Sequence, residues 1–252
     1  ALNRGFVAFL FKDYDAAEAC WTKLRAIDPF FEKQEKKGWG SVVARLMWNI
    51  KYNDGCLYAT PREMKAFKSP KLRLAVYLAD LDYENEAHKA AEAKYRALLE
   101  GKHGELTTDQ KAYVTYALAN CCAYQWKDKE ADALLAKFDN EFRDTPSTPR
   151  ALLMRGNRAT RNCPFGSDEE KAGFAHYQEI IDRYPETRQA QMAMYYWAWL
   201  LMLSKRANQA KIIFERYLKK YPNGIWVDAT RCQLGKLAKT LNQEKGGDHV
   251  TE

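Results

Sequence analysis

Apolar residues recur at three- and four-residue intervals along nearly the whole chain, and no run alternates apolar and polar residues over a strand's length. The pattern is clearest between residues 194 and 222. Met194, Trp197, Ala198 and Leu201 share one face of a first helix. Ala210, Phe214 and Tyr217 share one face of a second, and Pro222 stops it. A small residue on each helix, Ala198 and Ala210, lets two antiparallel helices approach closely while large residues one turn away fill the flanks. A pair this short cannot bury its apolar faces alone, so like pairs must stack on it.

The same spacing recurs. Gly5, Ala44, Ala79, Ala119, Gly156, Ala198 and Gly235 stand as the small residues of successive first helices, 39, 35, 40, 37, 42 and 37 residues apart. In the first unit Asp13 is the expected N-cap and Ala17, Trp21, Leu24 and Pro29 complete the pair. The second unit has a first helix over 38–52, ended by Asn53-Asp54-Gly55. Pro61 and Pro70 make its second helix short or distorted. The third has Ala91, Tyr95 and Leu98 on its second helix, and the fourth has Ala131, Leu135 and Phe138. The fifth carries Gly173, Tyr177, Ile180 and Pro185. Its small residues are 17 apart instead of 12, which places a five-residue insertion at 162–166. A lone helix over 225–241 with Leu234, Gly235 and Ala238 is expected to cap the stack, with 244–252 as a frayed tail.

In motif form the 194–222 stretch is M-x2-W-A-x2-L followed by A-x3-F-x2-Y-x4-P, which resembles the tetratricopeptide repeat, W-x2-L-G-x2-Y, A-x3-F and a closing Pro. The resemblance covers nearly the whole chain. It is strongest in the first and sixth units and poorest in the second, and every step exceeds the repeat's usual 34 residues. It implies an all-α, right-handed α-solenoid: one superhelical domain over 1–243 of about six helix pairs and a capping helix. It also implies a non-catalytic protein–protein interaction scaffold that binds a peptide or partner segment on its concave face. The Tyr-Pro endings at Tyr184-Pro185 and Tyr221-Pro222, with RYPETRQAQMAMYYWAWLL between repeats, resemble the repeats of bacterial cell-envelope lipoproteins. That likeness implies an alternative, an adaptor or regulatory segment of a larger bacterial cell-envelope assembly protein, and favours periplasm or envelope over cytoplasm. The chain opens at Ala1 inside a helical pattern, as expected of a product processed or cut from something longer.

Composition narrows the partners. Forty Lys and Arg against 33 Asp and Glu give a net charge of +7, a bias toward acidic partners. No basic block has nucleic-acid spacing, so no nucleic-acid partner is expected. The longest apolar run, 192–203, is too short for a membrane span. Cys20, Cys56, Cys121, Cys122, Cys163 and Cys232 form no CxxC pair and have no His at zinc-ligand spacing. Neither metal nor cofactor is expected, and Cys56 and Cys163, in expected loops, are the two open to oxidation. His88, His103, His176 and His249 are scattered without a carboxylate, Ser or Cys partner, so no catalytic arrangement is expected.

In the tetratricopeptide repeat, first helices line the concave side. Carried over, this face comprises Tyr113, Tyr116, Asn120 and Tyr124 in the fourth unit, and Arg150, Leu153, Asn157 and Arg161 in the fifth. It comprises Met192, Tyr195, Trp199 and Met202 in the sixth and Arg45 and Trp48 in the second. Asn120 and Asn157 fall at equivalent positions, where two amides in register would hold a peptide backbone. Arg150 and Arg161 would pair with a carboxylate. The spacing leaves a second use open, because an aromatic stripe at helical period also serves as core between repeats, and an arginine arc as a solvated face.

Overall fold

In the computed structural model the described residues are 67, 69–84, 86–161 and 163–247. They are helical throughout: α1 Pro70–Glu84, α2 His88–Leu99, α3 Thr108–Tyr124, α4 Asp128–Ala136, α5 Thr148–Thr160, α6 Asp168–Arg183, α7 Arg188–Leu203, α8 Ala207–Lys220 and α9 Val227–Gly247. A 3-10 turn, Lys137–Asp139, extends α4 and seats Phe138 in the core. No strand occurs among the described residues. The expected first pair and most of the second, including Gly5, Ala17, Trp21, Ala44, Arg45, Trp48 and Cys56, lie outside them.

Short polar side chains start α3, α6 and α7. Thr107 accepts from the Gln110 amide while the Gln110 side chain accepts from the Thr107 amide, a reciprocal capping box on α3. Ser167 caps α6 through the Glu170 amide, and Thr187 caps α7 through the Ala190 amide. Three of the turns inside helix pairs are equally tight. After α1, α3 and α7 one residue takes a left-handed conformation, with φ of 60° at Glu86, 60° at Trp126 and 59° at Lys205. The chain then closes onto the preceding helix through six-to-one bonds of 2.9 Å, from Ala87 to Asp82, Lys127 to Cys122 and Arg206 to Leu201.

The chain divides into two compact units, 1–148 and 149–252. In the first, consecutive helices pack on one another from α1 to α4. Of the residues the repeat pattern singles out in the third and fourth pairs, Ala79, Ala91, Tyr95, Leu98, Leu118, Ala119, Ala131, Leu135 and Phe138 are buried, while Leu78, beside Ala79, is 39% exposed. In the second unit α6 packs on α7, α7 on α8 and α8 on α9. The α5–α6 pair approaches closely at two glycines. A Cβ on Gly156 would lie 2.5 Å from a Tyr177 ring carbon, and one on Gly173 would lie 2.4 Å from Thr160 Cγ2. Residues 156 and 160 thus face 177 and 173, so the two helices run antiparallel. Ala198, Ala210, Phe214 and Tyr217 meet in the same way between α7 and α8.

Two features differ from the sequence expectation. Gly235 holds the small-residue position on α9, yet nothing lies within 4 Å of where its Cβ would stand. Among the described residues no second helix meets α9 there, so the position carries no close approach among them. The helix also runs on to Gly247, past the expected end at 241. The stretch Asn242-Gln243-Glu244-Lys245 contains three good helix formers, and no Pro stands in it.

Candidate functional site

The first-helix stripe turns inward in the first unit. Tyr113 is fully buried and its hydroxyl donates to both carboxylate oxygens of Asp80 at 2.9 Å. Tyr95 donates to the same side chain at 2.5 Å, so the buried Asp80 is held by two phenols from α2 and α3. Burial and the nearby Asp80 charge push the Tyr95 hydroxyl far above its ordinary range, which keeps it a donor. Tyr116 is buried as well, and the Asn120 amide donates to the Tyr116 carbonyl one turn back on its own helix. These three residues are core, and only the last member of the stripe reaches solvent. Tyr124 is 59% exposed, with one face stacked on His88 at 4.9 Å and its edge against Tyr83 at 5.6 Å.

Beside them, Glu92 on α2 accepts from Arg96 at 2.8 Å, Lys127 at 2.7 Å and Gln125 at 2.7 Å. Arg96 reaches on to Glu130, so the network joins α2 to α4 and to the turn before it. Burial by itself would raise the Glu92 carboxyl, but bonds from Lys127, Arg96 and Gln125 outweigh it and hold it down at about 2. Glu92, Cys122 and Glu130 place ligand atoms within 4.8 Å of one another, a possible metal-ligand set by geometry. The chemistry is otherwise committed. Burial and the two carboxylates push the Cys122 thiol up to about 11, and two cations already neutralise the two anions.

The stripe of the second unit opens. Arg150, Leu153 and Met192, at the start of the α5 and α7 stripes, are buried. Further along α5, Asn157 and Arg161 are exposed, and Asn157 Oδ1 accepts the Tyr177 hydroxyl at 2.7 Å. On α7, Tyr195 is half-buried and stacks on Trp226 at 4.9 Å with 15° between the rings, and the Phe214 ring lies tilted at 5.8 Å. Trp199, one turn on, is 38% exposed, and Leu203, one turn further, is 48% exposed. Tyr195 is therefore a fixed wall, and Trp199 and Leu203 form an apolar strip with open surface.

Asn120 and Asn157 lie in different units, the one buried and the other exposed. Leu203 escapes the repeat comparison, although it lies at i+4 from Trp199. Trp126 escapes it too, because left-handed backbone leaves no trace in a hydrophobic pattern. Cys121 and Cys122 are buried free thiols, and Cys163 and Cys232 are free thiols nearer the surface. Among the described residues no helix is long and apolar enough to cross a membrane.

A second inter-helix clamp stands near the open strip. Glu170 is buried, accepts the Gly166 amide at 2.9 Å and pairs with Arg206, whose guanidinium also lies over the Phe174 ring. It ties the start of α6 to the turn between α7 and α8, much as Glu92 ties α2 to the turn between α3 and α4.

Residues 192–224 match the family model described as Tetratricopeptide repeat. These residues span most of α7, all of α8 and the turn that follows. The chain therefore contains a tetratricopeptide repeat, and Trp199 and Leu203 lie on its first helix. No curated protein and no solved structure matches the chain.

Proposed function

We propose that the protein is a non-catalytic scaffold whose partner segment docks on the first-helix face of the second unit. The tetratricopeptide repeat is a protein-interaction module, which supports the general role. The observation that carries the finer reading is the exposed Trp199–Leu203 strip on the matched repeat. Most other apolar residues of α7 are at least half covered, so two large side chains one turn apart hold open apolar surface of the kind that anchors a partner residue. Tyr195, packed against Trp226 and Phe214, fixes one side of the strip. The exposed cations Arg161 on α5 and Lys236 and Lys239 on α9 fit a partner with acidic residues flanking an apolar anchor. In this reading Asn157, Arg161, Tyr195 and Trp199 remain binding residues. Tyr124 is a separate contact of the first unit, and Tyr113, Tyr116, Asn120 and Arg150 support the fold from inside.

A displayed peptide library selected against the full chain tests this. Enriched peptides should carry an apolar anchor flanked by Asp or Glu. Their affinity should fall at least tenfold on Trp199→Ala and stay unchanged on Ile212→Ala, an exposed apolar residue on the second helix of the same pair. Peptides that bind Trp199→Ala as well as the parent would overturn the reading.

A further inference from the structure

The inward face of α9 is assembled differently from that of α8. On α8, Ala210, Phe214 and Tyr217 are fully buried, and the Tyr217 hydroxyl accepts from the Trp226 amide at 3.0 Å. On α9 the inward positions are Val227, Thr230, Gln233, Leu234 and Leu237, with Gln233 and Leu234 only partly buried. Val227 and Leu237 are apolar and buried. Thr230 is fully buried and its hydroxyl has no hydrogen-bond partner, and the buried Oε1 of Gln233 has none either. Buried polar atoms left unpaired weaken the contact they sit in, because they lose water on docking and gain nothing back. Gly235 adds to this. It lowers the helical stability of α9, and its missing Cβ serves no close approach.

The first residues before α9 are held firmly instead. The Ile225 amide donates to Gln191 Oε1 at 3.1 Å, the Trp226 amide to Tyr217, and the Trp226 ring stacks on Tyr195. Val227 continues this anchorage as a member of the core cluster that includes Tyr177, Met194 and Tyr217, and the weak face begins one turn after Trp226, at Thr230.

From this contrast we infer that α9 is a releasable helix: beyond Val227 it opens from the α7–α8 pair while that pair stays folded. Opening uncovers the apolar cluster of Ala198, Leu201 and Phe214 that Leu234 and Leu237 cover when the helix is closed. The two unpaired polar atoms and the glycine set the closing equilibrium near balance, where an apolar helix in their place would lock it.

Hydrogen exchange on the full chain, followed by peptide, tests the inference. Amides of 231–239 should exchange at least tenfold faster than those of 212–217 in α8. Thr230→Val, which keeps the shape and removes the unpaired hydroxyl, should slow α9 exchange about tenfold and leave α8 unchanged. Gly235→Ala, acting through helix stability alone, should slow it several-fold by an independent route. Equal protection of α9 and α8 in the parent would overturn the inference. So would variants that slow all three helices together, since α9 would then open only by global unfolding, or two variants that both leave α9 unchanged.

Discussion

Four helix ends share one turn, and they differ in which residue bears the left-handed backbone. At the end of α2 it is Gly101, with φ 76°, where the Lys102 amide bonds the Ala97 carbonyl at 3.1 Å. At the other three it is Glu86, Trp126 and Lys205, each five residues before the small buried alanine of the next helix, Ala91, Ala131 or Ala210. A Cβ in this conformation costs roughly 1–2 kcal/mol, partly offset by the larger backbone entropy a glycine would lose on folding. Lys205 is exposed, so its side chain gives little back. Lys205→Gly should therefore stabilise the protein by about 0.5–1 kcal/mol, seen as a rise in Tm. Gly173→Ala should do the opposite. Its Cβ would meet Thr160 Cγ2 at 2.4 Å and the Gly156 carbonyl at 3.1 Å, and the second of these is backbone that cannot swing aside. The expected loss is about 1–3 kcal/mol by denaturant unfolding. A neutral result would mean that α5 and α6 move apart freely.

Between elements, the two clamps convert charge into helix order. Glu92 holds Arg96, Lys127 and Gln125, and its carboxyl lies at about 2 in the folded protein against an ordinary 4.5. Because the folded value is the lower one, its contribution is complete above the unfolded value and fades as pH falls from about 5 toward 2. Arg96 and Lys127 are partly exposed, and solvent screening trims the effect to about 1–2 kcal/mol. Glu92→Gln should lose that amount at neutral pH and show a flatter acid unfolding profile over the same window, followed by circular dichroism. At this scale much of the architecture was readable in the chain. Ala79, Ala119, Gly156 and Ala198 mark the first helices, and each is buried where two helices meet. Gly235 was not distinguishable from them, because spacing along one helix does not say whether a second helix arrives. Tyr113 and Trp199 show the same limit for the site. Both sit on the expected stripe, but Asp80 stands opposite the first and open surface opposite the second. A helical period fixes a direction, and the occupant of that direction comes from elsewhere in the chain.

For the molecule as a whole, the excess of seven positive charges and the apolar strip should act on different steps of binding. Long-range attraction speeds encounter with an acidic partner and is screened over about 8 Å at physiological ionic strength. Buried apolar contact is made only after docking, so it governs how long the partner stays. Arg161 is exposed and Trp199 offers open apolar surface, so in the proposed reading one residue serves each step. Arg161→Glu should slow association about three- to tenfold and flatten its dependence on salt, with dissociation nearly unchanged. Trp199→Ala should speed dissociation tenfold or more and leave the salt dependence as it was. Surface plasmon resonance with a selected acidic peptide at 50 and 300 mM salt, roughly either side of the physiological screening length, separates the two. If Arg161→Glu changed only dissociation, the cation would be a docked contact and the charge excess would play no part in finding the partner. If Trp199→Ala changed only association, the strip would not be where the anchor rests.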